Sequence, residues 1–215
     1  MELSYTLLAD GSSDRGLIPI LTWMVRRHIP QCAVQSRWAD LRRMRRPPAA
    51  MEEKIEQAIQ LYPCNLLFIH RDAEREPRES RVREVAGSMA KTRQGNMPHV
   101  LVIPVRMTET WLLFDEKAIR LAAGNPKGRI PLNLPRLKEL ENCADPKDRL
   151  REAILEASGL SGRHRRRLNF AQCRQRISQV ARDFSPLLHL PAFTQMDQEF
   201  ATVAFRAGWV SSPIL

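Results

Sequence analysis

Leu66-Leu67-Phe68-Ile69 is an apolar run of strand length, and it leads within a few residues to two carboxylates, Asp72 and Glu74. A segment apolar at every position suits a strand covered on both faces, as in a parallel sheet. Residues two apart on an extended chain face the same way, so Asp72 and Glu74 are expected to aim together beyond the strand's C-terminal end. Open α/β sheets bind their ligands at that edge. The alternative is a solvated strand end, with both acids paired to Arg71, Arg75 or Arg78.

The rest of the first half repeats the pattern of short apolar run, turn and amphipathic segment. Tyr5 to Ala9 reads as a strand, with Asp10-Gly11-Ser12-Ser13-Asp14 as a tight turn in which glycine supplies backbone freedom. A helix is expected from Arg15 to His28, where Leu17, Ile20, Leu21, Met24 and Val25 form one stripe. Ala33 to Trp38 alternates as a second strand, and Met51 to Leu61 reads as a helix with acids in its first turn. Ser80 to Thr92 is a further helix. His99 to Arg106 is a fourth strand in which Pro104 marks an edge position or a strand end. Thr108 is expected to cap the helix that follows. Such β-α alternation predicts a mostly parallel sheet flanked by helices, an α/β fold, over residues 1–124.

Beyond Gly124 the strand signals stop. Helices are expected over Asp148 to Ser158, Phe170 to Phe184 and Phe193 to Phe205. Their apolar sets (Ile154, Leu155 and Leu160; Ile177, Val180 and Phe184) need cover. Residues 125–215 are therefore read as a helical C-terminal extension packed on the core.

No apolar run is long enough to cross a membrane and no charged-then-apolar leader opens the chain, so a cytoplasmic protein is expected. The four cysteines lack zinc-site spacing and read as ordinary buried thiols. The net charge is +10, and its arginines cluster twice. Arg37, Arg42, Arg43, Arg45 and Arg46 form one group; Arg163, Arg165, Arg166 and Arg167, with His164, form the other. Guanidinium forks match phosphate oxygens, which points to nucleic acid as a partner. The alternatives are a solvated basic face or a surface for an acidic protein.

Three of the expected strands lead into acids: Asp10 after the first, Asp72 and Glu74 after the third, Glu109 after the fourth. Asp14 lies one turn beyond Asp10. In a parallel sheet these ends share one edge, where four or five carboxylates would repel one another. A divalent cation offsets that repulsion, and an oxygen-only donor set favours Mg²⁺ or Mn²⁺. Each acid also has a plainer role open to it. Asp10 and Asp14 could brace the turn or cap the helix, and Glu109 could serve a helix dipole. Ser12 and Ser13 lack a base partner, and no Gly-Lys-Ser/Thr follows Gly11 to make a phosphate loop.

In their order, Asp10-Gly11-Ser12-Ser13-Asp14, Asp72-Ala73-Glu74 and Glu109-Thr110-Trp111-Leu112-Leu113-Phe114-Asp115 resemble the TOPRIM fold. That is the metal-binding domain of topoisomerases, primases and OLD-family nucleases. The last segment, and the tail Phe184-Ser185-Pro186-Leu187 with Leu190-Pro191-Ala192-Phe193, look like small stand-alone TOPRIM-like bacterial proteins. Asp10 stands where that family has Glu, and Glu74 where it has the second Asp of Asp-x-Asp. The resemblance implies a Mg²⁺-dependent nuclease or nicking enzyme with Asp10, Asp72, Glu74 and Glu109 as catalytic acids and Asp14 as a further metal ligand. Lys91 or Lys117 would stabilise transition-state charge. It also implies the effector of a bacterial anti-phage system acting on DNA rather than RNA beside an ATPase partner, since no ATPase motif is present. Two other readings stay open: a catalytically inactive TOPRIM-like nucleic-acid-binding or assembly subunit, and a phosphoacceptor with Asp72 modified. The last lacks the lysine it needs, because Arg106 follows the fourth strand.

Overall fold

The computed structural model describes residues 1–212. Four strands form one all-parallel sheet, β1 (Glu2–Leu8), β2 (Ala33–Ala39), β3 (Leu66–His70) and β4 (His99–Val102), in the order β2-β1-β3-β4. β1 and β3, buried along most of their length, lie in the middle. The polar, alternating β2 is an edge, and so is β4, which ends before Pro104. Proline cannot donate to a ladder, and β4 stops where its sequence requires.

Helices cover both faces. The face carrying Leu8, Leu67, Ile69 and Leu101 packs under α2 (Met51–Leu61) and α3 (Arg78–Lys91) through Ile55, Ala58, Val85 and Met89. The opposite face presents Tyr5, Leu7, Phe68 and Val100 to α1 (Leu17–His28) and α8 (Pro191–Arg206). Phe200 of α8 stacks on Phe68, with ring centroids 6.3 Å apart.

The same core takes in α4 (Glu116–Ala122), α5 (Pro146–Ser158) and α7 (Phe170–Val180), so the C-terminal helices share their apolar interior with the sheet. Ile154, Ile177 and Phe184 are fully covered, whereas Leu160 remains exposed. A short helix, α6 (Gly162–Arg166), carries the second arginine cluster. It has no apolar stripe, which is why hydrophobic periodicity does not reveal it.

Several element ends differ from those expected. Residues Ser12–Gly16 form a 3-10 turn before α1, and Thr108–Leu112 forms another in place of a helix. The cap of the helix that follows is Asp115, whose side chain accepts from Ala118 N at 3.0 Å, not Thr108. All four cysteines are free, and two of them, Cys64 and Cys143, are only partly buried. Among the described residues, no helix is long and apolar enough to cross a membrane.

Candidate active site at the C-terminal sheet edge

Because all the strands run the same way, the residues after β1, β3 and β4 come to one edge. The β1–β3 register pairs Leu8 with Ile69. Two residues further on, Asp10 meets Arg71, and the two are ion-paired. Lys54 of α2 reaches the other carboxylate oxygen of Asp10 at 2.8 Å. Burial works against the charged Asp10 carboxylate, but Lys54 and Arg71 outweigh it and hold its pKa below the ordinary value.

The turn after Asp10 depends on close approach rather than on an unusual backbone. Gly11 has φ −123°, which any residue adopts. A Cβ there would stand 3.0 Å from Ser13 Oγ and 3.2 Å from Asp14 Oδ2. Its absence lets Gly11 N donate to Asp14 Oδ2 at 2.9 Å, while Ser13 Oγ donates to Asp14 Oδ1 at 3.1 Å. Asp14 thus braces the turn, the structural role open to it from sequence.

Asp14 also faces the residue that best organises this edge, His70. The imidazole is buried at the end of β3. Its Nδ1 lies 3.6 Å from Asp14 Oδ2 and its Nε2 lies 3.2 Å from Asp72 Oδ1. Nδ1 makes no hydrogen bond, so its contact with Asp14 is electrostatic. Thr108 completes the group: its N–H donates to Asp72 Oδ1 at 3.0 Å and its hydroxyl lies 3.1 Å from His70 Nε2. Burial opposes the imidazolium, yet Asp72, and then Asp14 and Asp10, more than offset it. The His70 pKa is raised above the ordinary histidine value.

Glu74 and Glu109 have partners of their own. The chain turns left-handed at Glu74, with φ 56°, which ends the extended alternation that would have aligned it with Asp72. Its side chain is 69% exposed and lies 3.5 Å from Arg81. Glu109 is buried and ion-paired with Arg174 of α7. Arg71, Arg81 and Arg174 are thus the arginines that meet acids here, in place of an Arg71, Arg75 or Arg78 pairing with Asp72 and Glu74. Lys91 closes α3 where the chain heads for the start of β4, and Lys117 is exposed in α4. The lysine at the acids is Lys54.

The repulsion expected of five clustered carboxylates is therefore largely relieved by the protein's own cations. Among the described residues, no group of three or more His, Cys, Asp or Glu is arranged to hold a metal ion. The donor set still fits Mg²⁺. Asp10 and Asp72 keep 43% and 33% of their side-chain surface open, both are hard oxygen donors, and they follow adjacent strands. Mg²⁺ retains several waters and uses one or two carboxylates together with substrate phosphates, so it requires no full protein cage.

The arginine clusters are exposed throughout. Arg42 and Arg43 sit in a 3-10 turn directly after β2, with Arg45 and Arg46 in the following loop; Arg163, Arg165 and Arg166 lie in α6, and Arg167 caps it. No family model, no curated protein and no solved structure matches the chain.

His70, Thr108 and Lys54 are the residues that sequence reasoning did not assign to the site. The signal available for His70 was its place as the polar end of an apolar strand. Lys54 and Thr108 had none, because their roles arise from tertiary packing.

Proposed function

We propose that the chain is a Mg²⁺-dependent enzyme acting on nucleic-acid phosphodiesters, with its site at Asp10 and Asp72. The observation that carries this reading is the open Asp10 carboxylate, met by two cations, Lys54 and Arg71, at the sheet edge to which Asp72 also comes. Hard acids and phosphate-matching cations together suit a metal-bridged phosphate. The motif order that resembles TOPRIM supports it further, as do the exposed arginine clusters.

Asp10 and Asp72 would hold the cation. When bound, it supplies Lewis acidity to the phosphoryl group and acidifies water at the site. Lys54 and Arg71 exchange Asp10 for phosphate oxygens and position the backbone, Arg71 through its fork. His70 is fully enclosed and touches no substrate. It is a positioning residue, holding a proton between Asp14 and Asp72 and fixing the Asp72 carboxylate together with Thr108 N. Arg42, Arg43, Arg45, Arg46, Arg163, Arg165, Arg166 and Arg167 track the strand. The same resemblance extends the proposal to an anti-phage effector whose ATP dependence resides in a partner ATPase.

One observation favours a second reading, a non-enzymatic nucleic-acid-binding or assembly subunit. Lys54 and Arg71 already neutralise Asp10, so the fold does not demand a cation. A single experiment separates the two. On the first reading, Mn²⁺ or Mg²⁺ raises the melting temperature by mass action and supports plasmid nicking. Asp10→Asn and Asp72→Asn then lose both. Wild-type protein that binds DNA but shows neither a metal-dependent shift nor cleavage, with or without an ATPase partner, would leave the second reading standing.

A further inference from the structure

We propose that the cleft beside β2 is a nucleobase pocket for single-stranded nucleic acid, placed to feed the Asp10–Asp72 edge. The inference rests on the phosphodiester reading above for its purpose, but not for its evidence.

The cleft measures about 450 Å³ and is lined by Arg15, Trp38, Asp40, Arg43, Gln175 and Gln179, among others. Its volume is that of small-molecule sites. Its position follows from the sheet. β1 and β2 pair in parallel with Leu8 opposite Ala39, so Asp10 and Asp40 leave neighbouring strands at the same edge. Arg15 directly follows Asp14.

The lining has the chemistry of a base site. At the cleft's margin the Arg42 guanidinium lies over the Trp38 ring, 5.2 Å from its centroid, a planar pair onto which a base would stack. Asp40 fixes the two arginines beside it, gripping Arg42 Nε and Arg43 Nε at 3.0 Å each with its two oxygens. Because each is held through Nε, the terminal nitrogens of both forks stay available to phosphate. Arg43 is 86% exposed at its side chain. Gln175 and Gln179 are four apart on α7 and so share a face, presenting two amides that both donate and accept. Trp38 Nε1 is buried without a hydrogen-bond partner.

Aromatic ring, fixed arginine pair and paired amides together match a base with its phosphate. A duplex keeps the faces of its bases stacked inside, which would leave the Trp38 ring without a base to stack on. The cleft therefore selects unpaired strands.

The test is fluorescence anisotropy in EDTA, with fluorescein-labelled oligothymidylate and oligouridylate against a blunt duplex of equal length. The single strands should bind more tightly than the duplex. Trp38→Ala should weaken them about tenfold or more, the usual worth of one stacked base, and Trp38→Phe should restore most of the loss. The double variant Gln175→Ala/Gln179→Ala, on a solvent-facing helix surface, should weaken single strands with an unchanged melting temperature. Equal affinity for duplex, or single-strand affinity that survives both the Trp38→Ala and the double glutamine changes, would overturn the pocket. Binding needs no metal, so the two proposals fail separately. Cleavage by a protein indifferent to Trp38 removes the pocket alone. Trp38-dependent binding without Mg²⁺-dependent cleavage removes the active-site reading alone.

Discussion

Glu109 and Arg174 form a buried ion pair across 65 positions of sequence. The carboxylate sits in the turn after β4, and the guanidinium descends to it from α7. A charge buried this deeply needs its partner, since breaking such a pair by removing one member strands the other. Arg174→Met is expected to cost about 3–5 kcal/mol in urea unfolding. Adding Glu109→Gln should recover much of that loss. A cost for Arg174→Met under about 0.5 kcal/mol, the level of a surface change, would show that Glu109 finds water or another cation.

His70 gives the protein a pH dependence of definite sign. Its folded pKa stands above the ordinary 6.5, so the folded state binds the proton more tightly than the unfolded chain does. The stabilisation is complete below the unfolded value and is lost as pH rises through the raised one. Urea midpoints should therefore fall as pH rises above the ordinary histidine range. His70→Gln should flatten that fall. A midpoint that climbs over the same range would mean that His70 is neutral when folded.

Lys54 and Arg71 compete with any cation for Asp10. Removing that competition in Lys54→Met should move the Mn²⁺ thermal-shift midpoint to lower concentration. On the phosphodiester reading, cleavage should nevertheless drop, because a cation proposed to bind phosphate has gone. Tighter metal binding with faster cleavage would make Lys54 purely inhibitory.

Glu74 tests how far family pattern outranks local geometry. A non-glycine residue in left-handed backbone costs about 1–2 kcal/mol. Glu74→Gly should hold or raise stability and leave metal binding unchanged, because the carboxylate faces solvent and Arg81. A loss of the Mn²⁺-dependent melting shift in this variant would place Glu74 among the ligands after all.

The sheet was legible because its signals are local: a short apolar-rich run in β1, a continuous one in β3, Pro104 just past β4, and amphipathic stripes between them. Met51 to Leu61 is a helix at the same bounds the stripe predicts. The shared edge was legible too, since parallel strands bring the residues after β1, β3 and β4 to one side of the sheet. The partners at that edge were not. That Arg71 pairs with Asp10 rather than Asp72, and that Arg174 serves Glu109, depends on register and on helix docking across long separations. The left-handed turn at Glu74 likewise has no glycine to announce it, and it undid the expected alignment with Asp72.

Phe200 closing over Phe68 has a consequence for how the chain folds as it is made. Synthesis is vectorial, and domains form from the N-terminal side as residues emerge. The aromatic face of Tyr5 and Phe68 is complete early, but α8, which covers it, arrives more than half a chain later. Until Phe200 leaves the ribosome, the nascent sheet carries a bare apolar surface, and long-range closure of this kind is slow. Ribosome-bound chains halted before Phe200 should therefore recruit hydrophobic-binding chaperones, and release them once the last helix can reach back.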